Sequence, residues 1–186
     1  VTATGDTARA ELVTLLRERS FRRGTFTLAS GRQSPYYVDA RLTTMSARGM
    51  VLVGELGLGA IREAGWAPDF VGGLTLGADP VAYAVAAASM RQPPPVDGFT
   101  VRKEAKRHGT GKRIEGPFRS GGTVVVVEDV VTTGASALTA IEVIRDAGGQ
   151  VLGVLAVVDR EEGGRAAIEA AGHRVIALVP LSDLLR

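Results

Sequence analysis

The 186 residues predict an α/β domain with a mainly parallel central sheet, covered by helices on both faces. Three observations carry this expectation. Strand patterns alternate with helical patterns along most of the chain, and no internal repeat or linker divides it, so residues 1–186 read as a single domain. The runs Val124–Val127 and Val151–Val158 are apolar and rich in β-branched residues, as strands buried on both faces are. The 24 glycines, against a usual share of about 7%, suit repeated tight strand-to-helix turns.

Taken in order, Val1–Asp6 is small and polar and is expected to fray. From Thr7 the spacing of Leu12, Leu15 and Leu16 predicts an amphipathic helix. Phe26 and Leu28, then Tyr36 and Val38, alternate as two short strands would, with SGRQSP as the turn between them. Thr44–Ala64 reads as a long helix. Phe70–Gly73 reads as a strand, and Pro80 suits the first position of the helix that follows. The turn between them, with Thr75, Leu76 and Gly77, is either a plain connection or a second anion site at a helix N-terminus. Three prolines within Arg91–Gly98 mark a loop, and Phe99–Arg102 the next strand. Beyond the central strand the pattern gives a helix over Ala137–Ala147, a strand over Val151–Val158 and a helix over Glu161–Ala171. A strand over Arg174–Val179 and a terminal turn end the chain.

Composition narrows the function classes. No cysteine is present, which excludes a disulfide framework, a thiolate metal site and a cysteine nucleophile. No apolar run approaches the roughly 20 residues of a spanning helix. No signal segment opens the sequence, so a cytoplasmic protein without membrane contact is expected. The net charge of +2 conceals an asymmetry: six cations and one acid lie between Arg102 and Arg113, leaving the remainder net negative.

The chemistry is concentrated in TVVVVEDVVTTGAS, Thr123–Ser136. The valine run is expected to end at Glu128 and Asp129, at the sheet edge where ligands of open α/β folds bind. Two carboxylates suit sugar hydroxyls or a metal. Thr132, Thr133, Gly134, Ala135 and Ser136 then supply hydroxyls and backbone N–H groups at a helix N-terminus, which suits a phosphate. A ribose 5-phosphate would occupy both halves. The stretch is not a Walker loop: GTGKR at Gly109–Arg113 lacks the leading glycine and the final hydroxyl. GLGAIR at Gly57–Arg62 lacks the third glycine of a dinucleotide fingerprint.

The basic run is either a solvated face, a nucleic-acid patch or a closing loop. Glycines at 109, 111 and 116 and the lack of aromatic residues that could stack bases favour the loop. Such a loop could neutralise a departing anion and exclude water. Asp159 and Arg160 follow the next buried strand to the same edge, where an arginine fork suits a planar carboxylate or serves only as a surface charge.

Thr123–Ser136 closely resembles the phosphoribosyl pyrophosphate (PRPP) motif of type I phosphoribosyltransferases. RKEAKRHG at Arg102–Gly109 and FTLASGRQSPYY at Phe26–Tyr37 resemble the catalytic loop and base-covering segment of orotate phosphoribosyltransferases. The resemblance runs from Phe26 to at least Arg160. It implies that residues 1–42 form an N-terminal helix and a hood over the base. It implies that Arg102, Lys103, Lys106 and His108 are catalytic and contact PRPP, with Lys103 reaching into the neighbouring site of a homodimer through the 102–116 loop. Glu128, Asp129, Val130, Val131 and Thr132 through Ser136 would complete the PRPP site, and Thr132 and Arg160 would bind orotate. Mg2+ is implied as cofactor, held mainly through PRPP rather than by direct protein ligands. The implied reaction gives orotidine 5′-monophosphate and pyrophosphate from orotate and PRPP in pyrimidine biosynthesis, without a nucleic-acid partner. One departure stands out: many members carry a lysine where this chain has Ala29, and Arg32 or Arg41 are the candidate substitutes. The rival readings are a phosphoribosyltransferase for another base and a PRPP-sensing regulator that binds nucleic acid.

Overall fold

The computed structural model describes residues 3–27, 33–104 and 113–186. Its frame is a six-stranded sheet built from β3 (Phe70–Leu74), β4 (Asp97–Val101), β5 (Ile114–Glu115), β6 (Thr123–Val131), β7 (Gln150–Asp159) and β8 (Val175–Pro180). The spatial order is β5-β4-β3-β6-β7-β8, parallel except for the antiparallel edge strand β5. The two residues of β5 are too short to show a periodicity, which is why no strand is expected there from sequence.

Alternation along the central strands explains the two covered faces. Val125 and Val127 of β6, with Leu155 and Val157 of β7, face one core; α1 (Ala3–Leu15), α3 (Ala47–Glu63) and α4 (Ala78–Arg91) pack there. Val124 and Val126, with Val154 and Ala156, face the other, under α5 (Ala135–Asp146) and α6 (Gly164–Ala170). Leu12, Val13 and Leu16 join the first core, so the N-terminal helix belongs to the body of the fold. After the N-terminal helix, β1 (Phe21–Thr27) and β2 (Gln33–Val38) form a hairpin that is its own two-stranded sheet. Its tip, with Leu28, Ala29 and Arg32, lies outside the described residues.

Helix boundaries follow their caps. The expected helix over Thr44–Ala64 splits into α2 (Arg41–Thr44) and α3, because Ser46 is extended and its hydroxyl accepts the Gly49 N–H at 3.2 Å. Helix α4 begins two residues before Pro80, which is tolerated because first-turn N–H groups have no intrahelical partner. Helix α6 begins only at Gly164, since Arg160–Glu162 are engaged in side-chain contacts and Gly163 takes φ +95°. The C-terminal turn is a short helix, α7 (Leu181–Leu185). No helix among the described residues is long and apolar enough to cross a membrane.

Candidate functional site

After β3 the chain moves outward to β4 and then returns to β6 on the other side of β3, so the connections leaving β3 and β6 diverge. A cleft of about 350 Å³ opens at this switch point. It is lined by Thr75–Gly77 after β3, Glu128–Val130 at the end of β6, Thr132 and Ser136 beyond it, and Lys103 and Arg160. Tyr37–Asp39 and Arg41 close it from the hairpin side. Larger hollows of about 650 and 570 Å³ lie elsewhere, one beside Phe118 and the end of α5, the other between Trp66 and the Pro93–Pro95 loop. Neither has the paired acids and hydroxyl-rich turn of the cleft.

Strand β6 does not stop at the acids: it continues through Val131 because β7 runs alongside it and pairs Glu128 with Ala156 and Val131 with Asp159. On the other side β3 is paired with β6 only as far as Gly72–Val126. Past that point β6 has one neighbour, and the acids border open space. Glu128 is 5% exposed, and its Oε1 is buried without a hydrogen-bond partner. Burial, reinforced by the charge of Asp129, pushes its carboxyl up to about 8. Burial likewise raises Asp129, against the opposing effect of the Val130 N–H, which Asp129 Oδ1 accepts at 2.9 Å. An unpartnered buried acceptor beside a second acid is fitted to hydroxyl donors such as those of a ribose.

Glu128 also borders the turn from Val130 to Ala137, a hollow of about 80 Å³. Gly134, at φ +82°, precedes α5, so the turn presents backbone N–H groups at a helix N-terminus. An added Cβ at Gly134 would lie 2.8 Å from the Gly164 carbonyl oxygen and 3.0 Å from Ile168. Gly134→Ala is therefore expected to destabilise the protein by about 1–3 kcal/mol, measured by urea denaturation. An unchanged midpoint would show that the turn relaxes freely.

The turn after β3 is held by a network: Asp79 accepts from Thr75 Oγ1 at 2.6 Å and from Thr100 Oγ1 at 2.8 Å. Gly77 sits so near Asp129 that a Cβ would fall 2.3 Å from its carboxylate oxygen. The turn therefore lies against the acid pair and lines the cleft. Arg41 donates to both oxygens of Asp39, at 2.8 and 2.9 Å, which holds the Asp39 carboxyl below its ordinary value.

The basic loop divides. Arg113 donates from Nε to the Arg102 carbonyl at 3.1 Å and from Nη2 to the Lys103 carbonyl at 3.0 Å, while the Arg102 N–H donates to the Arg113 carbonyl at 2.7 Å. This staple holds the backbone at Lys103, which lines the rim of the cleft of its own chain. Arg102 instead lies 3.6 Å from Glu115 and does not line the cleft. Lys106 and His108 lie outside the described residues. The sequence offered no signal for the staple, because Arg113 is one cation among six.

Arg160 is buried at the end of β7, with Glu162 Oε1 2.8 Å from its Nη2 and the Tyr36 ring 5.1 Å from its guanidinium carbon. Asp159, beside it, is structural: Oδ1 accepts the Glu161 N–H and Oδ2 accepts from Arg165 Nε at 3.0 Å. Among the described residues no three His, Cys, Asp or Glu side chains are grouped to hold a metal ion.

Known proteins share this arrangement. The model of the phosphoribosyl transferase domain family matches residues 47–171. An orotate phosphoribosyltransferase of Corynebacterium glutamicum is 49% identical over 179 residues, 95% of this chain and 94% of that protein. One from Mycobacterium tuberculosis is 50% identical over 178 residues, 95% and 96% of the two chains. A crystal structure of the M. tuberculosis enzyme in complex with PRPP superposes with TM-score 0.80 and 45% identity, covering 96% of this chain and 99% of that one. With the family model matching most of the chain and near-full-length relatives of this kind, the chain belongs to the orotate phosphoribosyltransferase family.

Proposed function

We propose that this protein transfers the 5-phosphoribosyl group of PRPP to orotate, forming orotidine 5′-monophosphate and pyrophosphate in pyrimidine biosynthesis. The observation that carries the reading is the meeting, in one cleft, of buried Glu128 with half-buried Asp129, a hydroxyl-rich turn and a buried arginine. The turn from Thr132 to Ser136 receives the 5′-phosphate, and Glu128 and Asp129 accept from the ribose hydroxyls. Thr132 and Arg160 face the base, with Arg160 matched to the carboxylate of orotate.

In the reaction the bond from the anomeric carbon to pyrophosphate breaks largely before the orotate ring nitrogen bonds to that carbon. Positive charge develops on the ribose and negative charge on the leaving group. Lys103 stands where it can meet the departing pyrophosphate, and Thr75–Gly77 offers backbone donors to the same anion. The acids hold the sugar in the attack geometry. Mg2+, when bound, supplies charge neutralisation to the diphosphate. Among the described residues the two acids are too few to cage it, so PRPP oxygens would supply most of its ligands.

We place the working unit in the cytoplasm, where multiply charged substrates of this kind are retained, and read it as a homodimer. Leu42, Met45 and Leu76 are exposed around a hollow adjoining the cleft, a surface suited to a second copy. The 102–116 loop would then contribute to the neighbouring site.

The test is the fall in orotate absorbance when protein, PRPP and Mg2+ are mixed, with adenine, hypoxanthine and uracil in parallel. Orotate alone should be consumed, and EDTA should stop the reaction. Conversion of another base would overturn the assignment of Arg160; salt-sensitive nucleic-acid binding without turnover would favour a regulator.

A further inference from the structure

Arg160 does not stand alone in its pocket. Glu162 Oε1 accepts from Arg160 Nε at 3.1 Å and lies 2.8 Å from Nη2. The same oxygen accepts from the Tyr36 hydroxyl at 3.1 Å. Arg160 Nη2 also donates to Ser34 Oγ at 3.4 Å, and the Ser34 hydroxyl donates to the Tyr36 carbonyl at 2.7 Å. Tyr36 and Ser34 belong to β2 of the hairpin, whereas Arg160 and Glu162 follow β7 of the main sheet. One carboxylate oxygen therefore joins the two elements that enclose the base site.

We propose that Glu162 is a positioning residue for base selection: it locks the Arg160 guanidinium against the hairpin so that its Nη1 side is presented to the carboxylate of the incoming base. The inference rests on the orotate reading above. Guanidinium has five N–H donors in a fixed planar fork. Glu162 and Ser34 occupy the Nε–Nη2 edge, so the donors directed to a ligand are those of Nη1. A buried guanidinium is costly without a counter-charge, and Glu162 supplies one. The ligand carboxylate thus meets an arginine already placed, and a base lacking that carboxylate leaves its donors unmatched. Because Tyr36 shares the same oxygen, the hairpin and the arginine are set together.

The experiment compares Glu162→Ala, Glu162→Gln and Tyr36→Phe with the parent protein, each checked for folding by thermal unfolding. Separate KM values for orotate and PRPP are the readout. Glu162→Ala should raise the orotate KM about 10–100-fold, as expected for a lost hydrogen bond to a charged group, while the PRPP KM stays within about threefold. Glu162→Gln keeps an acceptor oxygen for Arg160 and Tyr36 and should hold the orotate KM within about tenfold of the parent. Tyr36→Phe, which removes only the hydroxyl, should raise the orotate KM about two- to tenfold, and it keeps the proposal testable if Glu162→Ala does not fold. An unchanged orotate KM in Tyr36→Phe and in every folded Glu162 variant would overturn the proposal, as would equal rises for both substrates. An inactive parent protein would instead overturn the orotate reading itself.

Discussion

Replacing Lys103 with alanine is expected to lower kcat by about 10²–10³-fold, the usual cost of removing one donor that meets charge developing in a transition state. PRPP binding should weaken far less. The distinction follows from placement. Lys103 is exposed at the mouth of the cleft, where an ammonium gains little from a ground-state substrate already solvated and charge-neutralised. As the bond to pyrophosphate breaks, charge accumulates on the leaving oxygens and the lysine gains a partner. Its backbone cannot drift, because the Arg113 side chain binds the carbonyls of residues 102 and 103. Steady-state kinetics paired with calorimetric PRPP titration separates the two effects, and unchanged turnover would remove Lys103 from the mechanism. Lys103→Arg should recover part of the loss by restoring charge without the ammonium's compact shape.

The second large effect concerns Glu128. Its folded pKa of about 8 lies above the ordinary value of 4.5, so between these limits the folded protein retains a proton that the unfolded chain gives up. Its contribution to stability is therefore complete below about pH 4.5, declines as pH rises, and is lost above about pH 8. At one pKa unit per ~1.4 kcal/mol, the loss is on the order of 5 kcal/mol. Glu128→Gln is neutral throughout. Its melting temperature should match the parent's near pH 5 and exceed it by about 10–20 °C at pH 8.5. Melting curves that remain parallel from pH 5 to 8.5 would contradict the burial argument. At pH 8.5, where the parent's Glu128 is ionised, the same variant should bind PRPP about 10–100-fold more weakly, since a ribose hydroxyl loses a charged acceptor. A substitution that stabilises the protein while weakening its substrate would identify the acid pair as a local cost retained for binding.

Much of this was legible in the residues. The valines at 124–127 specify a buried strand by composition alone, and Glu-Asp followed by Thr-Thr-Gly-Ala-Ser could be proposed as a sugar-phosphate site because all its parts are contiguous in the chain. Gly134 had to permit a left-handed turn for that stretch to work, and it does. Boundaries were less legible: β6 extends through its acids because β7 is there to pair with them, a property of the neighbour rather than of the strand.

What the sequence by itself determined is the alternation of strands and helices and the local phosphate turn, since hydrophobic periodicity and turn chemistry act over a few residues. What only the tertiary structure decided is which charges share a space. Arg113 became a staple, Arg102 turned to Glu115, and Tyr36 met Glu162 across 126 positions of chain. Glu128 became a buried acid with an orphan oxygen where the pairing of β6 with β3 has stopped at Val126. Charge pairing and desolvation depend on three-dimensional separation and burial, and neither is encoded in the spacing of residues along the chain.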